Sequence, residues 1–295
     1  MKILVSGQSN KILARSIAKK NKLSLAKVQF KYFPNGEKCV RIITSVKNKD
    51  VVIVQSLSVP PDENIVELAL LTDAARRAGA KSIIALIPWL GYSPQDKVFR
   101  KGEALSAEVV IKMLDYIGID KFLLFDLHST TILPKFKSLV EHKSAMPLFI
   151  DYFKKIVKNK DEWVAVSVDK GSYDRAHEFA KAIGLSLAEF DKKRNKNTGE
   201  VTIIKFKGDV KGKKVITFDD YVSTGSTLIK SAEYMKSIGA SEYHFCVTHV
   251  VVDGAIERIV KSKIDKLITT NSVNMPKLRK YKKVKVLDLA DIIGF

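Results

Sequence analysis

The chain has 295 residues, of which 46% are hydrophobic and 28% are charged, and its formal net charge is +19 at pH 7. It is long enough for two α/β domains, and two distant cysteines suggest neither a disulfide framework nor a thiolate zinc site. Without an apolar run of about eighteen residues or an N-terminal signal pattern, a cytoplasmic protein with no membrane partner is expected.

The positive charge is spread along the chain, and only residues 277–285 form a dense basic cluster. A lysine-rich solvated surface explains this distribution, and a polyanion-binding face is the alternative. No helix-turn-helix, zinc-finger or RNA-recognition pattern is present. We therefore expect no nucleic-acid partner.

The first half of the chain alternates short apolar segments with segments of helical spacing. A turn at residues 33–37 joins two of the strands. The predicted strands are 3–6, 28–32, 39–43, 51–55, 82–87 and 121–125, and the predicted helices are 11–20 behind Asn10, 63–78 and 106–117.

Polar residues follow two of these strands. The long segment 91–103 follows strand 82–87, and Asp126-Leu127-His128-Ser129 follows strand 121–125. Open α/β sheets bind ligands at the carboxyl ends of their strands, so both segments are candidate binding elements. A mobile surface loop and a structural histidine are the alternatives.

The second half has the same alternation, and residues 74–80 and 234–240 read as copies of one helix ending. The sequence therefore predicts two similar halves, each with a mostly parallel sheet covered by helices. The basic segment 191–199 is expected to be a loop. The predicted strands are 164–168, 185–190, 200–206, 215–218, 243–250, 266–269 and 284–287, and the predicted helices include 146–157, one through Arg175 to Ile183, 228–238 and one to Val260.

The stretch 215–227 carries the strongest chemical signal. A buried strand, two carboxylates, a loop of small residues and a helix start follow one another, and such a helix start binds anions. The loop, Ser223, Thr224, Gly225, Ser226 and Thr227, fits a phosphate. Asp219 and Asp220 would repel a phosphate but suit hydroxyls or a metal, so the combination points to a ribose phosphate. An ordinary capped strand-to-helix turn is the alternative.

The stretch resembles the fingerprint of the phosphoribosyltransferase fold, and a wider set of motifs resembles the ribose-phosphate diphosphokinases. The similarity covers nearly the whole chain and is greater to the shorter, archaeal-type members. Its motifs, in order, are Phe33-Pro34-Asn35-Gly36-Glu37, Tyr92 with Gln95-Asp96-Lys97, Asp126-Leu127-His128, Asp169 with Gly171, Lys192 with Arg194, and 219–227.

The resemblance implies two phosphoribosyltransferase-like domains, 1–143 on the ATP side with oligomer contacts and 144–295 with the ribose 5-phosphate site. About 12 residues at the C-terminus would pack back on the first domain. It also implies a homo-oligomer with shared active sites.

The resemblance further implies a role for each matched position. Lys192 and Arg194 would be catalytic, His128 and Asp169 would lie at a Mg²⁺ site, and Asp219, Asp220 and the 223–227 loop would bind ribose 5-phosphate. ATP would be bound by Phe33, Asn35, Glu37, Gln95, Asp96 and His128.

The implied reaction transfers the diphosphoryl group of ATP to the C1 hydroxyl of ribose 5-phosphate, which needs alignment and charge neutralisation more than acid–base chemistry. Pro94 departs from the family, which usually has an arginine there that contacts ATP phosphates. Two alternatives therefore remain: a catalytically weak regulatory homologue, and a phosphoribosyltransferase that uses the same loop.

Overall fold

A computed structural model describes residues 1–168, 170–194 and 201–295, with the backbone alone at 170, 190–194 and 201–205. The chain divides into two compact units. Unit 1 comprises Met1–Ser144, Asn271–Asn274 and Asp288–Phe295, and unit 2 comprises Ala145–Thr270 and Met275–Leu287.

Unit 1 contains a six-stranded sheet in the order β2-β1-β5-β6-β7-β8, in which every neighbouring pair is parallel. A separate antiparallel hairpin, β3–β4, belongs to neither large sheet. The elements are β1 Lys2–Ser6, α1 Lys11–Lys20, β2 Ser24–Leu25, β3 Val28–Tyr32, β4 Lys38–Ile42, β5 Asp50–Val54, α2 Pro61–Arg77, β6 Ser82–Ile87, α3 Ser106–Tyr116, β7 Lys121–Phe125 and β8 Leu139–Lys143.

Unit 2 contains a seven-stranded sheet in the order β11-β10-β9-β12-β13-β14-β15. Only the β10–β11 pair is antiparallel. The elements are α4 Met146–Ile156, β9 Trp163–Ser167, α5 Lys170–Ile183, β10 Ser186–Arg194, β11 Val201–Lys207, β12 Lys214–Val222, α6 Ser226–Ser237, β13 Glu242–Val250, α7 Asp253–Lys261, β14 Lys266–Thr270 and β15 Val284–Leu287.

Both sheets are covered by amphipathic helices, as the alternation of strands and helices predicts. The predicted fold, two helix-covered and mostly parallel sheets, is confirmed. Asn10 caps α1 as expected, because its side chain accepts the N–H of Leu13 at 3.2 Å. The apolar faces of the strands and helices form a buried core in each unit.

The two units repeat the same helix ending. α2 and α6 each end before a glycine with positive φ, which is 80° at Gly79 and 100° at Gly239. Each glycine carbonyl accepts a backbone N–H from the turn before a strand, at 2.8 Å from Asn48 in unit 1 and at 2.8 Å from Gly212 in unit 2. The two copies suggested by the sequence therefore fold alike.

Four predictions from the sequence were incomplete or wrong. The short strand β2 and the edge strand β8 were not predicted. β10 continues as a strand through Arg194, where a loop was expected from residue 191. β12 continues through Val222, although the two carboxylates were expected to end it. In both cases a neighbouring strand supplies hydrogen bonds that local patterns do not reveal.

Residues from the C-terminal part of the chain complete unit 1. The Nδ2 group of Asn10 donates to the carbonyls of Asn271 and Ser272 at 2.7 and 3.2 Å. The hydroxyl of Ser16 donates to Asp288, and the side chain of Asn21 donates to the carbonyl of Ile293 at 2.9 Å. These bonds attach the returning segments to α1.

No helix in the part of the chain that the structure describes is both long and apolar enough to cross a membrane.

His244 on β13 lies in an aromatic cluster of unit 2. Its ring centroid is 5.0 Å from that of Trp163 and 6.2 Å from that of Phe153, and the residue is only 4% exposed. Burial lowers the pKa of His244, and the hydrogen bond from its Nε2 atom to Oε2 of Glu242 at 2.7 Å opposes this shift only in part. The imidazole is therefore held neutral.

This environment predicts a pH-dependent stability. As the pH falls through the ordinary histidine pKa of about 6.5, the unfolded chain takes up a proton that the folded chain does not. The free energy of unfolding should then fall by at most about 1.4 kcal/mol per pH unit, until the lower folded pKa is reached. Urea unfolding at pH 7.5 and 5.5 measures this loss.

His244→Phe should lose less stability over that range than the wild type. His177→Phe is the matched control, because His177 lies exposed on α5. Equal pH dependence in wild type and His244→Phe would contradict the assignment.

Candidate active site

The carboxyl end of β12 and the start of α6 build the anion loop, which we define as residues 223–227. Gly225 is the N-cap of α6, with φ at 72°, and no side chain caps the helix. Thr224, Ser226 and Thr227 are exposed. The first N–H groups of α6 and the hydroxyls beside them are therefore placed where an anion can accept hydrogen bonds.

Packing explains why a glycine stands at the centre of the anion loop. A Cβ atom on residue 225 would lie 3.1 Å from Cγ1 of Ile259 on α7, and the positive φ disfavours any side chain there. Arg258, the preceding residue of α7, donates to the carbonyl of Thr224. α7 thus holds the backbone of the loop from behind.

The paired carboxylates lie within β12, immediately before the anion loop. Asp219 is half-buried, whereas Asp220 is only 4% exposed. Nη1 of Arg175 on α5 lies 3.5 Å from Oδ1 of Asp220, which supplies a compensating charge. The neighbouring Tyr221 has a raised pKa because it is partly buried and lies beside both carboxylates.

In unit 1 the β3–β4 hairpin presents residues 33–37 at its tip. The N–H of Phe33 donates to the carbonyl of Glu37 at 2.8 Å, and the N–H of Glu37 donates to Oδ1 of Asn35 at 3.2 Å. Phe33 is 42% exposed. The tip is therefore a closed turn with an accessible aromatic ring.

The segments after β6 and β7 meet at the carboxyl edge of the unit 1 sheet. The Thr131 hydroxyl donates to Oδ2 of Asp96 at 3.3 Å, and His128 is exposed at the end of β7. Gln95 donates to the carbonyl of Ala104 at 3.0 Å and accepts from Ser106 at 2.5 Å. The side-chain amide of Gln95 thus stabilises the segment that follows β6.

Asp169, Lys192 and Arg194 are the remaining predicted site residues of unit 2. Asp169 lies outside the described residues. The backbones of Lys192 and Arg194 belong to β10, opposite Ile203 and Val201 of β11, but their side chains are outside the description.

The described residues contain no group of three or more His, Cys, Asp or Glu side chains that could hold a metal ion. Mg²⁺ commonly uses one or two protein carboxylates together with phosphate oxygens and water. The half-buried Asp219 offers one such carboxylate, so this set of donors fits a cation that a bound substrate helps to hold. His128 offers a nitrogen, which Mg²⁺ accepts less readily.

In unit 2 the structure places Asp219 and Asp220 directly before the anion loop, and in unit 1 it joins the segments that follow β6 and β7. It also adds two arginines to which the sequence analysis gave no role. Arg175 contacts Asp220, and Arg258 contacts the anion loop. The order of strands places β9 next to β12, so the helix after β9 can reach Asp220. Knowledge of that order would have identified Arg175, whereas no sequence signal indicates Arg258.

Comparison with known proteins gives a consistent result. Residues 2–118 match the N-terminal domain of ribose phosphate pyrophosphokinase, and residues 136–278 match a phosphoribosyl transferase domain. Ribose-phosphate pyrophosphokinase of Fusobacterium nucleatum is 36% identical, with 99% of this chain and 92% of the relative covered. Ribose-phosphate pyrophosphokinase 1 of Lactococcus lactis is 38% identical, with 99% and 90% covered.

A crystal structure of phosphoribosylpyrophosphate synthetase from Mycobacterium smegmatis superposes with a TM-score of 0.89. It is 30% identical, and the match covers 99% of this chain and 95% of that one. The two sheets and the anion loop thus define an enzyme built from two phosphoribosyltransferase-type domains. The chain belongs to the ribose-phosphate pyrophosphokinase family, whose members are transferases of nucleotide biosynthesis. The predicted archaeal-type affinity stays a prediction.

The anion loop generates a stability prediction. Gly225→Ala should lower the free energy of unfolding by about 1–2 kcal/mol, because alanine is strained at positive φ and its methyl group crowds Ile259. Chemical denaturation measures the change. Gly254→Ala on α7 is the control, since a Cβ there meets open space and should be neutral or mildly stabilising. A fully stable Gly225→Ala protein would contradict the packing argument.

Proposed function

We propose that this chain transfers the diphosphoryl group of ATP to the C1 hydroxyl of ribose 5-phosphate, giving phosphoribosyl diphosphate and AMP. The observation that carries the proposal is the anion loop, directly preceded by two carboxylates, in a member of the ribose-phosphate pyrophosphokinase family. Phosphate beside vicinal hydroxyls is what such a combination recognises.

The sugar phosphate binds in unit 2. The 5-phosphate accepts hydrogen bonds from the exposed start of α6 and the hydroxyls of the anion loop. Asp219 and Asp220 accept hydrogen bonds from the ribose hydroxyls. Arg175 supplies a countercharge to Asp220, because an unpaired carboxylate with so little exposure would be costly.

We assign ATP binding to residues of unit 1. Phe33, Asn35 and Glu37 form the adenine pocket from the hairpin tip, as the family resemblance implies. His128 and the Gln95–Asp96 segment face the nucleotide from the carboxyl edge of the sheet, where Asp96 is held by Thr131. An exposed imidazole at this edge suits a phosphate oxygen better than a magnesium ion.

The reaction forms a bond between the C1 oxygen and the β-phosphorus and breaks the bond from that phosphorus to the oxygen that leaves with AMP. The proton of the C1 hydroxyl passes to solvent water. Lys192 and Arg194 neutralise the charge of the transferring group, and alignment supplies most of the rate. Bound Mg²⁺ would supply further charge neutralisation, and the family resemblance implies that Asp169 would help to hold it.

A homo-oligomer with shared active sites is part of the proposal. The hairpin tip of one subunit would then serve the ATP site of a neighbour. A cytoplasmic location stays a prediction, and the exposed thiol of Cys39 suits reducing conditions.

A catalytically weak regulatory homologue is a second candidate, and Pro94 favours it. Proline provides neither a side-chain donor nor a backbone N–H for a phosphate. Lys97 and Arg100 are exposed in the same loop and provide cations nearby. Measuring AMP formation from ATP, ribose 5-phosphate and Mg²⁺ decides between the two candidates, because the regulatory homologue forms little or none.

We predict that Asp220→Asn raises the KM for ribose 5-phosphate by about 10- to 100-fold, since a hydrogen bond to a charged group is lost. The KM for ATP should change little. Steady-state assays that vary each substrate measure the split. Asp209→Asn, on the exposed surface of unit 2, is the control. An equal rise in the KM for both substrates would count against the assignment.

We also predict that two defective subunits complement each other. Phe33→Ala damages the ATP side, and the double variant Asp219→Asn/Asp220→Asn damages the sugar side. After unfolding and refolding together, the mixture should be several times more active than the two variants refolded apart. A monomer at assay concentration, or no gain on mixing, would refute the shared site.

A further inference from the structure

The β3–β4 hairpin needs an external support. An isolated two-stranded hairpin is only marginally stable, and this one joins neither large sheet. Its register pairs Tyr32 with Lys38 as the last pair before the tip at 33–37. The apolar side chains Val28, Phe30, Val40 and Ile42 pack the hairpin on the unit 1 core, and the contacts of Tyr32 and Lys38 hold the end of the hairpin nearest the tip.

Lys38 reaches a buried carboxylate on α2. Its Nζ atom donates to Oε2 of Glu67 at 2.5 Å, and the Glu67 side chain is 0% exposed. Burial alone would lower the pKa of Lys38, but the hydrogen bond and charge of Glu67 outweigh it and raise that pKa. The lysine is thus held charged against a side chain that has no exposed surface.

Tyr32 reaches the same carboxylate through one intermediate. Its hydroxyl donates to Oε1 of Gln8 at 2.7 Å, and the backbone N–H of Gln8 donates to Oε1 of Glu67 at 2.6 Å. The Lys38 amine also lies 5.5 Å from the centre of the Tyr32 ring. We call Gln8, Tyr32, Lys38 and Glu67 the hairpin anchor.

The anchor resists rearrangement because the Glu67 side chain is completely buried against Lys38. Gln55 adds a further donor to Oε1 at 3.1 Å, so each carboxylate oxygen has a partner. Loss of Lys38 would leave the carboxylate without a countercharge, which folded proteins tolerate poorly. The ion pair therefore fixes the tip end of the hairpin to α2.

We propose that the hairpin anchor positions the tip residues for the nucleotide, so that Tyr32, Lys38 and Glu67 are positioning residues for ATP. The proposal rests on the proposed function, because that function assigns adenine binding to the hairpin tip. The anchor residues themselves touch no substrate. Their role is to raise the fraction of molecules in which the hairpin tip is positioned to bind ATP.

The expected effect follows from that fraction. When only part of a population can bind, the apparent dissociation constant rises by the inverse of the competent fraction. Weakening the anchor should therefore raise the KM for ATP and leave the KM for ribose 5-phosphate unchanged. A purely structural role would reduce the amount of active enzyme and alter neither KM.

Three variants test the proposal. Tyr32→Phe removes one hydroxyl and should raise the KM for ATP about three- to tenfold, as loss of a single hydrogen bond does. Lys38→Met should raise it further and lower thermal stability. Lys38→Met/Glu67→Gln removes the buried charge as well, so its stability should recover while its KM for ATP stays high.

Arg41→Met is the matched control. Arg41 lies on the same strand, is exposed, and is paired with Gln29 away from the tip. It should match the wild type in both KM values.

A thiol label gives a second readout that does not depend on activity. Cys39 is exposed next to Lys38, whereas Cys246 is buried, so a nitroxide reagent should label Cys39 selectively. The label should be more mobile in Lys38→Met and in Tyr32→Phe than in the wild type. Arg41→Met should leave its mobility unchanged.

The outcomes separate this proposal from the function on which it rests. An active wild type in which Phe33→Ala raises the KM for ATP, but Tyr32→Phe and Lys38→Met do not, overturns the anchor alone. Unchanged label mobility in both variants also overturns it. A wild type that forms no AMP overturns the proposed function, and the label still reports whether the anchor holds the hairpin. If Lys38→Met does not fold, Tyr32→Phe and the double variant decide the matter.

Discussion

Each unit buries a carboxylate beside the carboxyl edge of its sheet, and neither charge is tolerable without a cation against it. Lys38 supplies that cation to Glu67, and Arg175 supplies it to Asp220. In both pairs the cation comes from a different element than the carboxylate. The cost of an unpaired buried charge thus fixes a hairpin to α2 in unit 1 and α5 to β12 in unit 2. The geometry of both candidate binding regions depends on these two attachments.

Most elements could be predicted because their signals are local. The apolar run from Val215 and the helical spacing after Gly225 each lie within one short window, and β12 and α6 form there. The end of β12 could not be predicted in this way. Asp219 and Val222 are held in the strand by pairing with Val247 and Val250 of β13. Such pairing depends on the order of strands, which a local pattern does not contain.

The same distinction applies to the candidate site. The anion loop and the hairpin tip were identified because their residues are contiguous. The contacts of Arg258 with Thr224 and of Lys38 with Glu67 join residues that are 34 and 29 positions apart, so composition and spacing are silent about them. The substrate roles of individual residues came from the family resemblance, because side-chain chemistry alone does not distinguish one phosphate ester from another.

The composition of unit 1 has a consequence for the order of events during synthesis. Its segments 1–144, 271–274 and 288–295 are interrupted by all of unit 2. A growing chain is made from its N-terminus at about 5–20 residues per second, so α1 exists well before Asn271 and Asp288 that contact it. Unit 1, whose synthesis begins first, is therefore completed only after unit 2 has been synthesised. Until the returning segments emerge from the ribosome, the face of α1 that receives them stays uncovered.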